Sequence, residues 1–313
     1  MALIIICRGL GPERYYRALR ALAPERDIRL WPDHGEKDDT RYALAWNPPA
    51  GELASYPNLQ VIFSPGAGVE HLLDDPTLPD LPIVRLVDAN LTMRMGEYVV
   101  LHVLLHHRRM LEYQDQQRIK TWRLLSQPAA EEVRVGIMGL GELGADSASK
   151  LAHLGFQVAG WSRTDKQIDG VESFAGESAL DAFLARTDIL VALLPLTPAT
   201  SGMLDARLLS KLARDGALPG PVLINAGRGG LQVEADILSA LDNETLWGAS
   251  LDVFASEPLP AADPLWSHPR LVITPHNASI SEGPAVAAYV LEQIATFEAG
   301  GTLTNLVERE RGY

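Results

Sequence analysis

Three side chains able to do acid–base work stand in short segments of the second half of the chain: Arg228 in NAGRGG, Glu257 in LDVFASEP and His276 in TPHNAS. Together they suit one task. A guanidinium grips a carboxylate at two points, an imidazole exchanges a proton near neutral pH, and a neighbouring carboxylate favours the protonated imidazole. Each alone has an ordinary reading: a surface Arg, a Glu before Pro258, a turn His after Pro275. What strengthens the chemical reading is that all three lie downstream of a glycine loop, at the ends of expected strands.

That loop is VGIMGLGELG, with Gly139, Gly141 and Gly144 in the spacing G-x-G-x-x-G. The first glycine suits a tight turn, the second the close approach of a pyrophosphate, and the third close packing of helix on strand. The helix that follows offers unpaired N–H groups to phosphate. Among 26 glycines such a spacing arises easily by chance. Its place between a clear strand and a clear helix is what makes it a dinucleotide site. The next strand ends in VAGWSRTDK, where a carboxylate would ordinarily hold the ribose of NAD. Ser162 and Arg163 stand there instead, with Lys166 close by, and these donors suit the extra phosphate of NADP. Expected is NADPH, with NADH possible through Asp165; the alternative is an ordinary exposed turn.

The elements that must position these residues read as alternating strands and helices. Strands are expected at LIIIC, DIRLW, YALAW and LQVIFS, with a helix at PERYYRALRALA between the first two. One long apolar helix is expected over Met95–Tyr113, and SQPAAEEV as a crossing between domains. From Val133 the pattern restarts as strands VRVGIMG, FQVAGW, DILVALLP, PVLINA, LWGASLDV and LVITP, with helices GELGADSASKLAHLG, DARLLSKLA and VEADILSALDN. The last helix runs from Pro284 to Gly300-Gly301 and is expected to return to the first domain. The fold class is therefore α/β: two Rossmann-like or flavodoxin-like domains with parallel sheets, the nucleotide domain inserted in a discontinuous substrate domain. The expected boundaries are 1–98 with 280–313 for the substrate domain, and 99–279 for the dinucleotide domain with its interdomain and dimerisation helix.

Composition bounds the partners. The 313 residues are 47% hydrophobic, enough for two ordinary domains, and the net charge of −13 with no basic stripe argues against nucleic acid. The apolar run at the start is too short for a signal peptide and no stretch reaches membrane-spanning length, so no membrane partner and a cytoplasmic location are expected. The single cysteine, Cys7 in LIIIC, reads as an inert core thiol. His102 and His106 in HVLLH have zinc-ligand spacing but no third ligand, so packing or interface histidines are expected and no metal.

With these residues in place, the chain resembles the D-isomer-specific 2-hydroxyacid dehydrogenases nearly end to end. The shared stretches are the glycine loop, FSPGAGVEHLL, LLPLTPAT, INAGRGG and GASLDVFASEPLPAADPLWSHPRLVITPH. Within that family it is most similar to the glyoxylate/hydroxypyruvate reductase A group, through YALAWNPP, WSRTDK, GVESFAG, DPLWSHPR and the closing ERERGY. The resemblance implies His276 as general acid paired with Glu257, and Arg228 on the carboxylate and keto oxygen of a small 2-keto acid. It implies a carboxylate site at the Ala67 and Gly68 backbone, and Trp46 lining the pocket. Along the cofactor it implies Gly139, Gly141, Glu142, Leu143, Gly144, Ser162, Arg163, Lys166, Leu194, Pro195, Thr200, Ala226 and Asp252, with Asp252 on the nicotinamide carboxamide. It further implies a homodimer, in which Trp122 reaches a neighbouring subunit; core packing is the alternative for both tryptophans. Two positions depart from the family's pattern: Ala226-Gly227 before Arg228, and Asn277 after His276. Larger 2-keto acids, or a non-catalytic dinucleotide sensor on the same fold, are the other readings.

Overall fold

Short runs of Leu, Ile, Val and Ala bounded by Gly, Pro and Asp form the strands of two parallel sheets in the computed structural model, which describes residues 1–311. The chain divides into two units, one of Met1–Leu91 with the chain from Ile280 onward, the other Thr92–Ser279. Ser126–Val133 lies inside the second unit. Gly312 and Tyr313, which end the ERERGY motif, lie outside the described residues.

The first unit holds strands β1 (Ala2–Cys7), β2 (Ile28–Leu30), β3 (Thr40–Trp46), β4 (Val61–Ser64) and β5 (Ile83–Arg85), in the order β2-β1-β3-β4-β5. All pairs are parallel. Strand β1 is buried along its whole length, as a central strand covered on both faces requires. Helix α1 (Glu13–Leu22) contributes Tyr15 and Leu19 to one core, and α2 (Glu70–Leu73) contributes Leu72 to another. The late helix α9 (Gly283–Glu298) returns as expected, packing Val286, Ala287, Val290 and Ile294 beside Leu3 and Ile5. Gly283 permits its approach to α1, since a Cβ there would lie 2.8 Å from the Arg14 carbonyl oxygen. Cys7 is buried, and that burial pushes its thiol up to about 12, in keeping with an inert core residue.

The second unit carries β6 (Arg134–Met138), β7 (Gln157–Ser162), β8 (Val171–Ala175), β9 (Ile189–Ala192), β10 (Val222–Asn225), β11 (Gly248–Leu251) and β12 (Leu271–Ile273). Their order is β12-β11-β10-β9-β6-β7-β8, parallel throughout. Its helices are the part of α3 (Ala89–His107) from Thr92, then α4 (Met110–Arg118), α5 (Glu142–His153), α6 (Leu180–Ala185), α7 (Ala206–Leu209) and α8 (Glu234–Asp242). The order reverses between β6 and β9, the crevice where open α/β sheets take ligands.

Two expectations change. The long helix is not continuous to Tyr113: α3 stops at His107, and Arg109 takes a left-handed conformation with φ 56° before α4 begins. No Gly or Pro marks the break. It is held instead by Glu112, which accepts from Arg109 Nε at 3.0 Å and from Trp247 Nε1 at 3.1 Å. Strands β5 and β8 were not expected. The first has three residues, and the second is an edge strand only partly buried, so neither shows a full apolar run. Among the described residues no helix is long and apolar enough to cross a membrane.

Candidate active site

One register row of the second sheet sets the geometry. Trp161, Met138, Ala192, Asn225, Leu251 and Ile273 are successive partners across β7, β6, β9, β10, β11 and β12. Every candidate site segment of this unit leaves the sheet within a few residues of that row. At the usual strand spacing of about 4.8 Å, six strands make a shelf on the order of 24 Å long.

At the β6 end, Gly139 has φ +101°, and a Cβ there would lie 2.8 Å from the Leu193 carbonyl oxygen. A Cβ on Gly144 would lie 1.8 Å from the Gly139 carbonyl oxygen, so α5 can start against the loop only with glycine at that place. At Gly141 a Cβ would meet nothing within 4 Å. Packing within the protein therefore does not require the middle glycine, whereas a group lying against the loop backbone does. Glu142 and Leu143 open α5, whose N-terminus has no side-chain cap. These features fit a pyrophosphate.

The neighbouring loops frame the same edge. Ser162 ends β7, its hydroxyl donating to the Thr164 carbonyl at 2.6 Å, while Arg163 and Lys166 are exposed. The Gly139 amide donates to the Trp161 carbonyl at 2.8 Å, which ties the glycine loop to this turn. Beyond β9, Leu194 is buried, and Thr200 Oγ1 donates to the Pro195 carbonyl at 2.7 Å and fixes the LLPLTPAT loop. Ala226 is buried at the end of β10. Gly227, one of the two departures, leaves little room: a Cβ there would be 3.0 Å from the Leu194 carbonyl oxygen.

Arg228 extends from a loop braced by residues that the sequence did not single out. Asn225 accepts from the Gly227 amide at 3.0 Å and donates to the Arg228 carbonyl at 3.1 Å and to Gln232 Oε1 at 2.8 Å. Gln232 donates in turn to the Val253 carbonyl at 2.8 Å. Gly229 allows this loop to meet the next one, since a Cβ would lie 1.9 Å from the Phe254 carbonyl oxygen. The signal for Asn225 and Gln232 was present as polar residues at the end of an apolar strand, inside INAGRGGLQ.

Glu257 and His276 form the titratable pair, Oε2 to Nδ1 at 2.7 Å. The other carboxylate oxygen accepts from the Phe254 amide at 2.9 Å. Burial pushes the Glu257 carboxyl up, but hydrogen bonds from His276 and Phe254 and the charges of His276 and Arg228 outweigh it. The carboxyl is held below its ordinary 4.5. His276 has φ 51°, a left-handed conformation uncommon for a residue with a Cβ and typical of strained functional turns. Its amide donates to the Asp252 carbonyl at 2.8 Å. Asp252 itself is 1% exposed, and its carboxylate accepts from Thr274 Oγ1 at 2.6 Å and from the Asn277 and Ala278 amides, each at 2.9 Å. Asp252 thus shapes the turn bearing His276, a task the sequence did not give it. Asn277, the second departure, is exposed and is held by its backbone.

In the first unit, Trp46 ends β3 at the point where the strand order reverses. Its ring lies 4.0 Å from that of His71, and a Cβ on Gly66 would be 2.6 Å from Cζ3 of the indole. Ser64 Oγ donates to the Gly66 and Gly68 carbonyls at 3.2 Å each, fixing the turn that carries Ala67 and Gly68. Trp122 is fully exposed, so it is not a core aromatic. His102 and His106 are buried and both bond Ser250 Oγ, at 2.8 and 2.9 Å.

A carboxyl whose value is depressed in the folded protein stabilises it above the ordinary value, and the contribution is lost as pH falls through the folded one. Urea unfolding of Glu257→Gln is therefore expected at lower denaturant than wild type at neutral pH, with the gap closing below pH 4.5. An equal gap at every pH would show that the Glu257 charge contributes nothing.

The model of the D-isomer specific 2-hydroxyacid dehydrogenase NAD binding domain matches residues 100–278. The chain is 43% identical over 307 residues to glyoxylate/hydroxypyruvate reductase A of Yersinia enterocolitica, covering 96% of each. Among solved structures, it is similar to the NADPH-dependent glyoxylate/hydroxypyruvate reductase of Sinorhizobium meliloti in complex with NADP and sulfate. That match has a TM-score of 0.95 at 47% identity and covers 100% of this chain and 99% of the other. A D-isomer specific 2-hydroxyacid dehydrogenase of Xanthobacter autotrophicus, in complex with NADPH and MES, matches with a TM-score of 0.94 at 40% identity, covering 100% and 99%. With the glycine loop, Arg228, Glu257 and His276 on one sheet edge, these matches identify the lineage: the chain belongs to the D-isomer specific 2-hydroxyacid dehydrogenase family.

Proposed function

We propose that the chain is an NADPH-preferring reductase of small 2-keto acids, glyoxylate and hydroxypyruvate, to 2-hydroxy acids. The observation that carries the reading is the 2.7 Å pair of Glu257 and His276 in a field that includes Arg228. The names of the Yersinia and Sinorhizobium relatives support the substrate class.

The reduced nicotinamide, when bound, supplies the hydride for the carbonyl carbon. Arg228 holds the substrate carboxylate by its guanidinium fork and stabilises the charge that develops on the keto oxygen. Glu257 occupies Nδ1 of His276, leaving Nε2 as the nitrogen that gives its proton to that oxygen. The glycine loop and the start of α5, with Glu142 and Leu143, hold the pyrophosphate; Leu194, Pro195, Thr200 and Ala226 line the cofactor's course. Ser162, Arg163 and Lys166 receive the 2′-phosphate. Ala67 and Gly68 donate backbone N–H groups to the substrate carboxylate, and Trp46 limits substrate size. A cytoplasmic location belongs to the same reading, supported by a lone free cysteine.

A homodimer completes it. Leu101 is 59% exposed and Trp122 103%, and an open groove of about 480 Å³ is lined by Leu101, Leu104, Leu105, Met110 and Tyr113, with Arg108 and Gln114 beside them. Apolar surface of this kind is covered by a second copy.

His276→Ala is expected to bind NADPH as wild type does while losing most turnover with glyoxylate and hydroxypyruvate, followed as loss of absorbance of the reduced cofactor. Undiminished turnover would remove His276 from the mechanism, and tight NADPH binding with no turnover in the wild type on any 2-keto acid would favour a sensor. Arg163→Ala should weaken NADPH far more than NADH in steady-state titrations; equal losses would make the Ser162–Lys166 turn an ordinary surface feature. Light scattering should give the wild type twice its 34.1 kDa chain mass and Leu101→Arg the single mass. A monomeric wild type would refute the dimer.

A further inference from the structure

Helix α3 carries Tyr98, His102 and His106 at intervals of four, which places them along one face. All three are buried and all three bond to β11 or to the segment after β12. His102 Nδ1 and His106 Nε2 share the Ser250 hydroxyl, one accepting from it and the other donating to it. Burial pushes these imidazoles down to about 4 and about 3, so both are neutral and the helix is pinned on β11 without charge. One turn earlier, Tyr98 Oη lies 2.8 Å from Thr274 Oγ1.

The direction of that bond follows from its neighbour. Thr274 Oγ1 is 2.6 Å from Asp252 Oδ1, and a carboxylate oxygen only accepts. The threonine proton is spent there, so Tyr98 must be the donor to the Thr274 oxygen. Burial pushes the Tyr98 hydroxyl well above its ordinary range, which keeps that donor protonated. A directed chain therefore runs from Tyr98 to Thr274 to Asp252, and the same carboxylate receives the Asn277 and Ala278 amides that follow the left-handed residue His276.

We propose that Tyr98 is a positioning residue for the general acid: through Thr274 and Asp252 its hydroxyl holds the turn that presents the His276 imidazole. The inference rests on the reading of His276 as proton donor and adds the element that keeps it in place. Chains of hydrogen bonds in a buried setting reinforce one another, so removing the first donor loosens the last acceptor.

Tyr98→Phe deletes one oxygen and keeps the ring. Glyoxylate turnover at saturation should fall about three- to tenfold, the effect of one buried hydrogen bond, with KM for glyoxylate and Kd for NADPH within about twofold of wild type. Native-state hydrogen exchange at the Asn277 and Ala278 amides should quicken. Thr274→Ser should retain turnover and Thr274→Val lose it, and Tyr98→Phe added to Thr274→Val should cost nothing further, because the partner is already gone. Additive losses, or reduced turnover with unchanged exchange at those two amides, would overturn the proposal. Quickened exchange in a protein whose wild type reduces no 2-keto acid would support the chain of bonds and refute the reductase reading instead.

Discussion

A buried carboxylate must have its oxygens bonded, and at Asp252 that requirement organises the site. Left without donors, such a group would cost several kcal/mol or lose its charge. The chain meets the need with one hydroxyl and two backbone amides, all from Thr274–Ala278. Those donors reach Asp252 only if the backbone turns back on itself between them, and the left-handed residue at the turn is His276. The strain of that conformation, of order 1–3 kcal/mol, is offset by the bonds it permits. The imidazole's place is thus a consequence of satisfying a carboxylate one strand away.

Glycines act in the complementary sense, by removing atoms where backbones must meet. Gly139, Gly144 and Gly229 each stand where a Cβ would fall within 3 Å of another segment's carbonyl oxygen. The first lets the glycine loop lie against the segment after β9, the second lets α5 begin directly beneath the loop, and the third brings the Arg228 loop against the segment leading to Glu257. Gly141 is different, because nothing in the protein crowds it. The backbone there is open for a bound group to lie against, so the one spacing motif combines close packing with an uncovered stretch of chain.

Much of this was legible in the sequence because it rests on local pattern. Unbroken runs such as ALIIIC announced central strands, Pro284 and Gly300 bracketed α9, and the candidate site side chains stood out as polar residues at apolar strand ends. What was not legible depends on tertiary partners. The break at Arg109 comes from Glu112 and Trp247, 135 residues apart in the chain, and leaves no Gly or Pro behind. Tyr98 and Thr274 read as helix and strand filler, since a helical tyrosine and a strand threonine are ordinary until the sheet brings them to 2.8 Å. His102 and His106 invited a metal reading by their spacing, and only Ser250, contributed by β11, explains it.

The acidic balance of the chain bears on the same edge of the sheet. A net charge of −13 disfavours anions in bulk, so an anionic substrate and cofactor must be captured by local donors. Arg228 is only partly exposed, its Nη1 donating to the Gly227 carbonyl at 2.8 Å, and its charge is felt at Glu257. With the hydrogen bonds from His276 and Phe254, that charge helps hold the Glu257 carboxyl below its ordinary value. A carboxylate held by Arg228 would offset part of that positive field, so the Glu257 carboxyl would move back toward its ordinary value when such an acid binds.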